Sequence, residues 1–159
     1  MTPEPAMPVQ PSSPSRRKAL VLLGAGPLAS ALLPNLAQAA PEDARRLLAE
    51  LVKSQPRAGR VTIKTQDIAE NGNTVPVTVS VDSPMTEADH VRTIHVISDA
   101  NPQPGVASFM LTPASGKAEV YFRMRMAATQ NLIVVAEMSD GTSWSASRAV
   151  TVTIGGCSN

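Results

Sequence analysis

Between Ala118 and Met126 the side chains alternate at every step. Ala118, Val120, Phe122, Met124 and Met126 fall on one side of a period of two, and Glu119, Tyr121, Arg123 and Arg125 on the other. A helix would scatter these charges around its axis, whereas a strand sorts them onto two faces, one buried and one wet. The same period organises Pro76 to Val81, where Val77, Val79 and Val81 oppose Thr78 and Ser80. Pro76 belongs at the start or edge of that strand, because it has no N–H to give to a ladder. Leu132 to Met138 is apolar on both faces, bounded by Asn131 and Ser139-Asp140-Gly141. It is expected as a central strand, or one covered on both sides. Shorter β-rich runs lie at Val61–Lys64, Val91–Ser98 and Val106–Leu111. A last strand is expected over Trp144–Ala146 and Ala149–Ile154, interrupted near Ser147-Arg148.

Turn chemistry separates these runs. Glu70-Asn71-Gly72-Asn73 carries an Asn-Gly pair, Asp82-Ser83-Pro84 is a break, Asp99 to Gly105 is a loop, and Pro113 to Gly116 and Asp140-Gly141 are turns. One helix precedes them. Pro41-Glu42-Asp43 has the proline and acids of a first turn, Leu47, Leu48, Leu51 and Val52 follow at helical spacing, and Gln55-Pro56 stops it. The expected fold is all-β: an immunoglobulin-like antiparallel β-sandwich with one short N-terminal helix.

Composition excludes several functions. Lys plus Arg number 14 and Asp plus Glu 13, for a net charge of +1, so no strongly basic nucleic-acid surface is expected. Aromatics make up 3% of the chain, too few for a base-stacking platform. One cysteine and two histidines rule out an internal disulfide framework and a Cys-rich metal centre.

The first residues read as a leader. Ser15-Arg16-Arg17-Lys18 precede an apolar run from Ala19 to Leu33, and Ala37-Gln38-Ala39 offers an A-x-A cleavage site. The run is too short, and too broken by Gly24, Gly26 and Pro27, for a membrane span. The Arg pair points to the twin-arginine route, with an ordinary secretory signal as the alternative; both place the protein outside the cytoplasm. The expected organisation is a twin-arginine-type signal peptide over 1–39, a helical segment over 40–57, a β-sandwich over 58–154 and a flexible arm over 155–159. Residues 40–159 carry 11 basic and 12 acidic side chains, and a domain of 120 residues buries a proper core without a staple.

Chemistry concentrates in Gly155-Gly156-Cys157-Ser158-Asn159. The strand pattern stops at Ile154, and paired glycines hold a strand poorly because they lose the most backbone freedom on ordering. The single thiol is therefore expected on a slender arm reaching about 10 Å beyond Ile154. A thiol pKa near ~8.5 leaves only a few per cent thiolate at neutral pH. The group is suited to being activated inside another protein rather than to acting alone. Three readings stand on the residues: a carried thiol on a swinging arm, an intermolecular disulfide, and an incidental tail cysteine.

A longer set of residues resembles one family. Ala69-Glu70-Asn71-Gly72 and Pro76-Val77-Thr78-Val79-Ser80 are similar to segments of SoxY, the sulfur-carrier subunit of the periplasmic thiosulfate-oxidising (Sox) system. So are Asn101-Pro102, Pro113 to Val120, Val135 to Gly141, Trp144-Ser145-Ala146 and Val152 to Cys157. The resemblance implies a heterodimer with a SoxZ-like subunit. It makes Cys157 the point of covalent substrate attachment and Gly155 and Gly156 the swinging arm. It also implies three further partners: a SoxXA-like c-type haem enzyme, a SoxB-like thiohydrolase and a SoxCD-like sulfur dehydrogenase. On this reading the chain is a carrier rather than an enzyme, sits in the periplasm, and needs no cofactor, metal, nucleic acid or membrane of its own. The family tail usually ends Gly-Gly-Cys-Gly-Gly, and Ser158-Asn159 stand here in place of the last pair.

Other candidates are weaker. Met124, Met126 and Met138 with His95 invite a copper reading, but Met124 and Met126 share the face of Val120 and Phe122, where thioethers fill cores. His90 and His95 are expected in a turn and a sheet, and neither comes with a nucleophile motif for a Ser-His-Asp arrangement. Arg123 and Arg125 beside Tyr121 form a solvated face or a partner interface. Trp144 anchors the core or that interface, and the strand before Gly155 is a candidate edge for pairing with a partner.

Overall fold

The computed structural model describes residues 41–156; the leader, Cys157, Ser158 and Asn159 lie outside the described residues. Helix α1 spans Pro41–Leu51, with Pro41 at its start and Glu42 and Asp43 in the first turn, where acids complement the amide dipoles. Its inward side carries Ala44, Leu47 and Leu48, continued by the buried Val52. Leu47 packs toward Gly105, where an added Cβ would stand 3.1 Å from its Cδ2. The helix lies against the strand Val91–Ser98.

Nine strands follow: β1 (Arg57–Ala58), β2 (Val61–Lys64), β3 (Ile68–Ala69), β4 (Val75–Val81), β5 (Val91–Ser98), β6 (Gly105–Met110), β7 (Glu119–Met124), β8 (Gln130–Met138) and β9 (Ser143–Val152). One sheet runs β1-β9-β8-β5-β6, with β3 also paired to β9; the other runs β2-β4-β7. The all-β sandwich with one short helix is therefore the fold of this chain. Val61, Ile63, Val75, Val77, Val79 and Val81 of the small sheet join Ile94, Val96, Leu132, Val134 and Ala136 of the large one in a single buried cluster. Burying each such side chain stabilises the fold by roughly 1.5–3 kcal/mol.

The alternations of the sequence map onto this core. Val77 and Val79 are fully buried, and β8 is central, flanked by β5 and β9. Met124, Met126 and Met138 are buried in the cluster. Among the described residues no group of three or more His, Cys, Asp or Glu is placed to hold a metal ion. No described helix is long and apolar enough to cross a membrane.

Two features depart from the sequence expectation. The last strand is not interrupted at Ser147-Arg148, because Arg148 pairs with Leu132 in the ladder while its guanidinium donates to Asp67 at 2.6 Å. Arg148 shares the inward face of β9 with Ala146 and Val150 and is half-buried; a charge among core-facing positions looks like a break but leaves the backbone pairing intact. The sandwich also contains parallel pairs, β1 and β3 on β9, from segments of two residues too short to show any period. On its outer side β9 is paired by β1 at Trp144 and Ser145 and by β3 at Thr151 and Val152, and residues 146–150 have no strand partner there. The small sheet ends in β2 and β7 and the large one in β6 on the far side from β9; Phe109 of β6 and Phe122 of β7 meet with ring centroids 5.4 Å apart.

Candidate functional site: the root of the C-terminal tail

Past β9 the chain keeps its parallel course beside the segment Asp67–Gly72. The Thr151 N–H donates to the Asp67 carbonyl at 2.8 Å and the Thr153 N–H to the Ala69 carbonyl at 3.0 Å. The Thr153 hydroxyl reaches the Glu70 carbonyl at 2.8 Å. The Gly72 N–H then donates back to the Ile154 carbonyl at 2.7 Å. Pairing thus extends to Ile154, although its side chain is 65% exposed and adds little burial.

Beyond Ile154, among the described residues, main-chain contacts hold the tail. The Gly156 N–H donates to the Met126 carbonyl at 2.8 Å, and the Met126 N–H to the Gly72 carbonyl at 2.8 Å. Gly72 and Met126 each use both their N–H and their C=O to knit Ile154–Gly156 to the body. The backbones approach so closely that side chains have no room. A Cβ on Gly72 would strike the Met126 carbonyl, one on Gly155 the Ala127 carbonyl, and one on Gly156 the Gly72 carbonyl and the Asn73 nitrogen. Left-handed glycines lie elsewhere, at Gly59, Gly116 and Gly141. Glycine is therefore required at 72, 155 and 156 by close approach, not by a special φ. The sequence had Gly72 as half of an Asn-Gly turn pair. Asn71 does accept the Asn73 N–H at 2.8 Å, but Gly72 itself is buried under the tail.

The Met126 carbonyl is aimed by Asn101. This side chain, 8% exposed, donates from Nδ2 to the Arg125 carbonyl at 2.8 Å and accepts the Ala127 N–H on Oδ1 at 2.9 Å. The Asn101 N–H in turn donates to Ser98 Oγ at 3.2 Å, and Ser98 Oγ to Gln130 Oε1 at 2.7 Å. A buried amide that uses both ends on one backbone segment fixes that segment's position. Nothing in the local pattern of Asp99 to Gly105 separates Asn101 from any other loop asparagine.

The remaining candidates are placed as follows. Glu119, Tyr121, Arg123 and Arg125 are exposed on one face of β7, with Arg123 Nε donating to the Tyr121 hydroxyl at 3.3 Å. Trp144 is half-buried against the core and carries the Arg60 guanidinium 5.2 Å from its ring centre. His90 lies before β5, its Nδ1 3.0 Å from the Thr86 carbonyl. His95 is 7% exposed, with Nδ1 2.8 Å from Ser108 Oγ and Nε2 3.4 Å from Glu137 Oε2. The Ser–His–carboxylate set that the sequence did not show is thus assembled by cross-strand neighbours 13 and 42 residues from the histidine. Both ring nitrogens are engaged by side chains of flanking strands, an arrangement that satisfies a buried imidazole.

The tail root coincides with the end of a family match. The model of "Sulfur oxidation protein SoxY" matches residues 47–157. The chain belongs to the SoxY family. Among solved structures it is similar to the sulfur carrier protein SoxY from Chlorobium limicola f thiosulfatophilum, at 40% identity and a TM-score of 0.58, covering 69% of this chain and 96% of that one. It also shares its fold with the superoxide reductase (neelaredoxin) from Ignicoccus hospitalis, at 16% identity, a TM-score of 0.53, and coverage of 74% and 95%. The superoxide reductase from Nanoarchaeum equitans is alike in fold at 9% identity and a TM-score of 0.52, covering 60% of this chain and 100% of that one. No curated protein matches the chain. At such identities the reductases speak for the sandwich alone, whereas the SoxY match runs through Gly155 and Gly156 to Cys157.

Proposed function

We propose that this chain is a sulfur carrier of thiosulfate oxidation, holding its cargo covalently on Cys157 and presenting it to separate enzymes. The observation that carries the reading is the SoxY match extending through Gly-Gly to the thiol itself. In the loading step a thiolate and thiosulfate form a new S–S bond: RS⁻ + S₂O₃²⁻ → RS–S–SO₃⁻ + 2 e⁻. The two electrons go to the haem of a SoxXA-like partner. In the release step water attacks the terminal sulfonate: RS–S–SO₃⁻ + H₂O → RS–S⁻ + SO₄²⁻ + 2 H⁺, catalysed by a SoxB-like thiohydrolase. A SoxCD-like dehydrogenase oxidises the sulfur left on the carrier.

The root described above is compatible with a swinging arm. Freeing Gly155 and Gly156 breaks one main-chain hydrogen bond, a net cost of about 0.5–1.5 kcal/mol, because water takes over both groups. The body then serves as handle and docking surface. Its end strands β2, β6 and β7 are edges at which a SoxZ-like subunit can pair. Export by the twin-arginine route to the periplasm belongs to the same reading, on the strength of Arg16-Arg17 and the apolar run behind them.

Intact-mass measurement of protein purified from its native compartment tests this. A carrier shows a reductant-labile addition of about 112 Da on Cys157, the mass of the thiosulfonate group. An unmodified thiol, or a permanent disulfide-linked dimer as the working form, would sink the proposal.

A further inference from the structure

We propose that Gly72 is a positioning residue for the carrier thiol, and that the body holds the root of the arm, Ile154 to Gly156, in a seat from which it can be released. The functional half of this statement rests on the carrier reading; the geometric half does not. Three main-chain hydrogen bonds link Ile154 to Gly72, Gly72 to Met126 and Met126 to Gly156 in one unbroken run. Each fits only because Gly72 and Gly156 lack a Cβ, and a backbone carbonyl cannot swing aside as a long side chain can. Asn101 fixes the Met126 segment on the far side, so the clamp has a rigid wall and a removable occupant. The tail thereby has two lengths. Held, the root is fixed up to Gly156; released there, the chain gains two residues, about 7 Å of reach. A partner that binds the released form draws the root out, and a partner that works close to the body leaves it seated.

The test is site-resolved amide hydrogen exchange on the full exported chain, read together with the rate of Cys157 alkylation by iodoacetamide. The Gly156 amide is expected to exchange roughly two- to twelvefold more slowly than in an unfolded chain, the factor that one net hydrogen bond gives. In Gly72→Ala that protection is expected to vanish and alkylation to quicken, while the amides of Val134 and Val135 in β8 stay protected. Should Gly72→Ala unfold, Gly156→Ala strikes the same clamp from the dispensable side, and the Gly72 amide is expected to lose protection in an intact sandwich. A Gly156 amide exchanging at the unfolded rate in the unsubstituted protein overturns the proposal. So does a Gly72 amide unchanged in Gly156→Ala. These rates do not depend on any sulfur adduct, so failure of the clamp and failure of the carrier reading are separately visible.

Discussion

Strand β8 and the tail Ile154–Gly156 are both paired to neighbours by main-chain hydrogen bonds, yet they are held for opposite reasons. β8 lies between β5 and β9 and adds Leu132, Val134, Ala136 and Met138 to the core, so its ladder is backed by buried apolar area. The tail root buries almost no side chain, and what secures it is the absence of side chains at Gly72, Gly155 and Gly156. Burial makes the first permanent on the timescale of function. Bare hydrogen bonds, each worth about 1 kcal/mol net, make the second reversible. The proposed carrier role calls for both: a body that stays closed, and a root that can be released.

That contrast can be broken at several points. Cys157→Ser should have the largest effect, abolishing the covalent adduct in intact-mass spectra while leaving thermal unfolding unchanged; an adduct that persists would move the chemistry elsewhere. Leu132→Ala should destabilise the sandwich by about 2–5 kcal/mol in denaturant titrations, the usual result of emptying a core site. If instead it cost no more than a surface change, the distinction between β8 and the tail would fail. Asn101→Ala should lie between, costing about 1–3 kcal/mol through unpaired buried groups, and should loosen the Gly156 amide more than those of β8.

The smallest effect is expected far from the root. The Asp140 carboxylate accepts from the Thr142 hydroxyl at 2.7 Å and the Thr142 N–H at 2.8 Å, and these bonds hold its pKa below the ordinary carboxylate value. A depressed pKa means that its stabilisation is present above the unfolded carboxylate value and fades as pH falls through the folded one. Thr142→Val should therefore flatten only the acid limb of the stability–pH curve, with no change in Gly156 exchange. A change there would show that turn and root communicate.

The residues explain why some of this was legible in advance. Val77, Val79 and Leu132 reveal their burial because a strand sorts neighbours onto alternate faces, and that period is written locally. Arg148 looks like a break because a charge on the inward face interrupts the apolar alternation, and the Asp67 carboxylate that receives its guanidinium is 81 residues away in the chain. β1 and β3 were invisible, since two residues cannot display a period. His95, Ser108 and Glu137 gave no local sign of meeting, because cross-strand adjacency is set by register. Gly155-Gly156 in isolation signals conformational freedom, and nothing along the chain shows that Gly72 and Met126 will meet that pair.

The sequence by itself determined the sandwich, its central strand and the single thiol behind two glycines, because patterning and composition act between near neighbours along the chain. Only the tertiary structure decided what those glycines and Gly72 are for. Close approach of three backbones is a property of segments more than 25 residues apart, and no stretch of sequence can state which carbonyl will arrive where a Cβ would have been.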